Sequence, residues 1–186
     1  MTTNTNGARF ADVTIRRDVS LRSYWPRGGK VADVLNLNHE WVDLLDWFDE
    51  GQVRALLEEE ALILADWFDG GALPSDFDDV GETPDDFLRA AVAEPGTAGA
   101  VAVLNLLGCR TFWSCNGEAH GDKVPNVHFW AKAAIVPSLI AAAESANVGL
   151  VENNEGIEVF AGNRKGLHDF AQALLHRVRR SAGSEA

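Results

Sequence analysis

Hydrophobic and polar positions along this chain follow two periods, and the changes of period mark its elements. Ala11, Val13 and Ile15 alternate with Asp12, Thr14 and Arg16, and Val19, Leu21 and Ser23 continue that spacing. A two-residue period predicts one or two half-buried strands, which Pro26-Arg27-Gly28-Gly29 ends. Trp41, Leu44, Leu45 and Phe48 then form one helical stripe, with Asn38 as the cap of a helix starting at His39. Gly51 interrupts, and a second helix carries Val53, Leu57, Ala61, Leu64 and Phe68 on one face. The helices end in near copies, Asp46-Trp47-Phe48-Asp49 and Asp66-Trp67-Phe68-Asp69. Two copies are a local echo, since a solenoid needs three or more, and their aromatic residues are read as helix packing rather than a ligand cage.

Beyond an acidic loop from Leu73 to Glu82, Thr83-Pro84-Asp85-Asp86 has the form of a helix start that Glu94-Pro95-Gly96 closes. Another helix runs from Thr97 to Leu107, with Gly108 as its stop. Cys109 to Cys115 reads as a strand, Asn116 to Lys123 as a loop, and Val124 to Ala131 as the return strand. Pro137 opens a helix, Leu150–Glu152 and Ile157–Phe160 flank a hairpin turn, and Leu167, Phe170, Ala171, Leu174, Leu175 and Val178 form the clearest amphipathic helix. The order predicts an α+β fold: an acidic helical N-terminal half, then an antiparallel sheet with helices packed on one face. The expected organisation is an N-terminal part over 1–72 with strands and a helical hairpin, an acidic linker over 73–83, an α+β domain over 84–181 and a disordered tail over 182–186.

Charge sharpens this division. Residues 1–30 hold six basic and two acidic residues, residues 31–95 two basic and eighteen acidic, and residues 96–186 eight of each. The formal charge of −12 therefore sits in the middle third and argues against direct binding to nucleic acid or an anionic membrane. The chain contains no apolar run of the about 18 residues that a membrane span needs. Met1 to Gly7 lacks the basic and apolar blocks of a secretory signal, and two cysteines make no disulfide framework, so a cytoplasmic, reducing location is expected.

Chemistry concentrates where the first strand of the second half meets its loop. Thr111-Phe112-Trp113-Ser114-Cys115-Asn116-Gly117-Glu118-Ala119-His120 places a thiol, a hydroxyl and free backbone N–H groups at a sheet edge, and His128 follows on the return strand. Cys115 is the candidate nucleophile, with Glu118 or His120 as base; Ser114, Asn116, Gly117 and His128 are candidate ligand contacts. Any metal would fall to Cys115, His120 and His128, a loose set that matches no standard zinc spacing, and the sequence specifies no cofactor. Against this, Cys115 reads equally as a small buried residue at a strand end. Cys109 and Cys115 are six residues apart, so in a regular strand they share a face about 20 Å apart, too far for a disulfide or a shared zinc ion. His39, His168 and His176 lie on predicted helices without companions and are assigned no role.

The segment Leu104-Asn105-Leu106-Leu107-Gly108-Cys109-Arg110-Thr111-Phe112-Trp113-Ser114-Cys115-Asn116-Gly117-Glu118, with Pro125-Asn126-Val127-His128-Phe129, resembles small uncharacterised bacterial and phage proteins with a Ser-Cys-x-Gly-His motif. It is more distantly similar to the wybutosine-synthesis methyltransferase family of tRNA modification. The resemblance covers residues 98–160 and implies a site at Ser114, Cys115 and Gly117. Glu118 stands where those groups carry His or Arg, and a carboxylate there would repel RNA or a phosphate ester. Two functions follow from the sequence. One is a small-molecule site at the Ser114–Glu118 turn, enzymatic if Cys115 acts with His120 or His128. The other is a non-enzymatic interaction protein whose acidic helices bind a basic protein partner or imitate nucleic-acid charge; the same acidity also suits a solvated surface.

Overall fold

The computed structural model describes residues 14–25, 49–68, 95–117, 124–153 and 156–183. Along these the elements are α1 (Glu50–Phe68), α2 (Ala98–Leu106), β1 (Arg110–Cys115), β2 (Asn126–Trp130), α3 (Val136–Ala146), β3 (Gly149–Glu152), β4 (Ile157–Phe160) and α4 (Arg164–Gly183). The fold is α+β, with helix preceding sheet, as the hydrophobic periods predict. The helix expected from His39, the helix expected from Thr83 and the junction expected over 73–83 lie outside the described residues.

Local signals explain the element boundaries. The backbone N–H of Gln52 donates to Asp49 Oδ1 at 2.9 Å while Asp49 N–H donates to Gln52 Oε1 at 2.9 Å. This reciprocal box starts α1 ahead of Gly51, so Gly51 lies in the first turn instead of breaking the helix. Helix α2 closes with Gly108 N–H on Asn105 O and Cys109 N–H on Leu104 O, the paired bonds of a Schellman ending. The Asn105 side chain then ties helix to strand, because its Nδ2 donates to Val101 O and to Thr111 Oγ1, both at 2.9 Å.

The four strands are antiparallel in the order β1-β2-β4-β3. One edge is touched by the N-terminal segment: Arg17 forms a parallel bridge with Leu150. That bridge is all that residues 14–25 realise of the predicted strands; residues 11–13 lie outside the described residues. The chain leaves β3 after this contact because it crosses the end of the sheet, where Tyr24 N–H donates to Ala131 O at 2.9 Å.

Val127, Phe129, Leu150, Ile157 and Val159 share the inner face of the sheet with apolar residues of all four helices. Val53, Leu56 and Leu57 of α1 belong to that same core, and α2 is buried along Ala98–Asn105. The outer face carries a smaller cluster, Phe112 and Trp130, with Trp25 and Trp113 against it. No helix of the described residues is long and apolar enough to cross a membrane.

Because Asn105 is buried and its amide serves both ends of the α2–β1 joint, Asn105→Ala is expected to lower stability by about 1–3 kcal/mol, read from urea denaturation midpoints.

Candidate functional site at the β1–β2 end of the sheet

The site begins with an irregularity in β1. Arg110 and Thr111 pair with Trp130 and Phe129, but Trp113, Ser114 and Cys115 pair with His128, Val127 and Asn126, one residue out of step. This bulge inserts an extra residue, so side-chain parity reverses across it. Thr111 and Ser114 therefore share the inner face with Phe129 and Val127, while Cys115 lies on the outer face with Asn126. Cys109 belongs to the inner core. The expectation that the two cysteines share a face fails for this reason; both are free and buried.

At the end of β1 the backbone turns inward. Gly117 has φ +83°, a left-handed conformation suited to glycine, and its N–H donates to Cys115 Sγ at 3.4 Å. The Asn116 carbonyl accepts from Arg164 Nε at 3.0 Å. Arg164 is itself buried and packs so closely on Gly96 that a Cβ there would lie 2.7 Å from Arg164 Cβ. Cys115 is only 5% exposed.

Directly across from Cys115, Asn126 donates through Nδ2 to Val124 O at 3.3 Å. Its Oδ1 is buried and has no hydrogen-bond donor among the described residues. An unsatisfied buried acceptor costs about 1–3 kcal/mol, so it is a feature that asks for an explanation.

His128 is oriented by a short chain of bonds. Gly156 N–H donates to Asn153 Oδ1 at 2.8 Å, which turns the Asn153 Nδ2 towards His128 Nδ1 at 3.3 Å. The imidazole then keeps its proton on Nε2, which faces Glu158 Oε1 at 3.7 Å. These partners lie on the β4 side of β2, whereas Cys115 lies on the β1 side. His128 is thus held for Glu158 and packs at 5.9 Å from the Phe112 ring. Glu118 and His120 lie outside the described residues. Among the described residues no three His, Cys, Asp or Glu side chains gather as a metal site.

A second polar centre was not legible as such in the sequence. Glu60, 2% exposed, accepts through Oε1 from the N–H groups of Gly96 and Gly99 at 2.9 and 3.2 Å. Its Oε2 accepts from His168 Nδ1 at 2.9 Å, and His168 Nε2 meets Gln172 Nε2 at 2.8 Å. His168 therefore has a companion, and is buried rather than idle on a helix surface. Two signals were available: Glu60 interrupts the apolar stripe of Val53, Leu57 and Leu64, and His168 falls between Arg164 and Leu175 at helical spacing.

Burial pushes the Cys109 thiol up from 9.0 to about 12. Comparison with protein-family models, with curated proteins and with solved structures finds no match.

Two outcomes are expected. Glu60→Ala strands an imidazole and two backbone donors, and at about 1–3 kcal/mol for each buried donor should cost at least about 3 kcal/mol in a denaturation curve. Cys109 should resist iodoacetamide in the native protein at pH 8 by about a thousandfold relative to an unshifted thiol, because so little thiolate forms. The neutral thiol is the form that the fold favours, so its stabilising effect holds below about pH 9 and is lost as pH rises towards 12.

Proposed function

We propose that the outer face of the sheet at the Ser114–Gly117 turn binds a small molecule through an N–H or O–H donor directed at Asn126 Oδ1. The buried acceptor without a donor is the observation that carries this reading. Cys115 opposite it, Asn116 and Gly117 beside it, and His128 two residues along β2 supply the surroundings. The Arg164–Asn116 bond supports it too, since a site needs its turn held in place before the ligand arrives.

In this reading Cys115 is a contact of the ligand. Its sulfur is buried and accepts the Gly117 N–H, and the ring nitrogens of His128 are turned to Asn153 and Glu158. Among the described residues no base lies at hydrogen-bond reach of this thiol, and the candidate bases Glu118 and His120 lie outside them. The second reading, a basic partner on the acidic helices, draws support from α1, where Glu58 is exposed, and from the exposed Asp49 just before it.

Asn126→Leu separates ligand binding from stability. Replacing the unsatisfied amide by an apolar side chain of similar size should raise stability by about 1 kcal/mol. In ¹H–¹⁵N spectra, acetamide, urea and adenine should shift the Cys115, Asn126 and Gly117 signals of the wild type and leave those of the variant unmoved. Spectra of the wild type that do not respond, or a variant that responds equally, would falsify the site.

A further inference from the structure

A groove of about 710 Å³ lies on the other side of the molecule, between α1, the end of α3 and α4. Its apolar lining comes from Leu57, Ala146, Ala173 and Leu175, and Glu58 and Asp169 add carboxylates. The geometry points to this groove as a binding site for an aliphatic organic cation, a guanidinium or ammonium group on an apolar stem.

Charge and hydrogen bonding agree on that chemistry. Asp169 is taken up by Lys165, whose Nζ lies 2.6 Å from Oδ1, but Glu58 has no counter-ion among the described residues. Arg54, the guanidinium among the described lining residues, is folded onto Glu50 Oε1 through two bonds of 3.0 and 2.8 Å. Helix α3 ends at the groove with Asn147 as its C-cap, and the carbonyl end of a helix carries partial negative charge that favours cations. Beside this end Arg17 donates to the Asn147 side-chain Oδ1 at 3.0 Å. His176 also lines the groove and is exposed.

The buried dyad sets the last polar group. Glu60 accepts from His168 Nδ1, so in the neutral imidazole Nε2 is an acceptor. Gln172 then donates its amide N–H to that nitrogen, which leaves its carbonyl oxygen as the acceptor that it can offer to the groove. His168 is a positioning residue in this scheme. The stem of a bound cation would lie along Leu57, Ala173 and Leu175 while its head meets Glu58 and Gln172, the arrangement that long basic side chains adopt on half-apolar surfaces.

Butylguanidinium is the probe for ¹H–¹⁵N titration of the full chain, with potassium chloride at matched ionic strength as the control. Saturable shifts at Asn147, Gln172 and Ala173 are expected, with dissociation constants of about 1–10 mM for so small a ligand. Glu58→Gln and Gln172→Ala should each weaken binding about fivefold, the scale of one partly solvated charged contact. Asp18→Asn, which removes an exposed carboxylate elsewhere, should leave it unchanged. The groove of about 710 Å³ suits a free small cation, so an arginine-containing hexapeptide should bind no more tightly than butylguanidinium, and tighter binding overturns that occupant. Shifts that potassium chloride reproduces, or that survive both groove variants, overturn the proposal. The signals of residues 124–130 report whether each variant remains folded.

Discussion

One carboxylate joins the helical layer. Glu60 projects from α1 into the space where α2 begins and α4 passes, and both of its oxygens are occupied there. The need is physical. Helix α2 is buried along nearly its whole length, so its first N–H groups cannot turn to water, and Thr97 makes no side-chain capping bond. A carboxylate from a neighbouring helix satisfies one of those donors, the Gly99 N–H, together with the Gly96 N–H just before the helix, and complements the positive end of the α2 dipole. His168 then supplies the other oxygen with a donor, so neither oxygen of this buried carboxyl lacks a hydrogen bond.

The consequence extends along α4. Arg164, His168 and Gln172 are spaced four residues apart and form one polar stripe, buried at Arg164 and His168 and exposed at Gln172. Arg164 holds the Ser114–Gly117 turn, His168 meets Glu60, and Gln172 lines the groove. Gly96 lets this stripe approach: at φ +90° and against Arg164, any larger residue would be strained and displaced. The same stripe thus supports two surfaces on different sides of the molecule. The burial of Arg164 and His168 also explains why polar residues here specify how the helices meet, a task that apolar packing alone performs loosely.

The fold was legible in the sequence wherever one period governed a segment. The amphipathic run from Leu167 to Leu175, the hairpin around Asn153–Gly156 and the Gly108 stop follow from local rules and are present. What escaped was long-range. Glu60 and His168 are 108 residues apart, and no spacing rule links an acid in an acidic helix to a histidine in another helix. The start of α1 escaped because Gly51 was weighed as a breaker, while the box between Asp49 and Gln52 outweighs one glycine's entropic cost. The Cys115 segment stands out as a candidate by its residue types, but Asn126, opposite it, carries no signal of its own.

The bulge in β1 decides what kind of site that segment can be. In an unbroken ladder Cys115 would keep the parity of Cys109 and enter the inner core, where desolvation keeps a thiol neutral. The extra residue at Phe112 moves Cys115 to the face that carries Asn126, His128 and Glu158, and moves Ser114 the other way. Phe112 itself then packs on Trp130, 4.9 Å between ring centroids, which gives the irregularity an apolar anchor on the outer face. A bulge so anchored is not a packing accident, because the aromatic contact stabilises the one register that aligns thiol and amide. The hydroxyl of Ser114 and the thiol of Cys115 cannot serve one ligand on one face of the sheet, and the outer face, with its orphaned acceptor, is the one left with a polar group to satisfy.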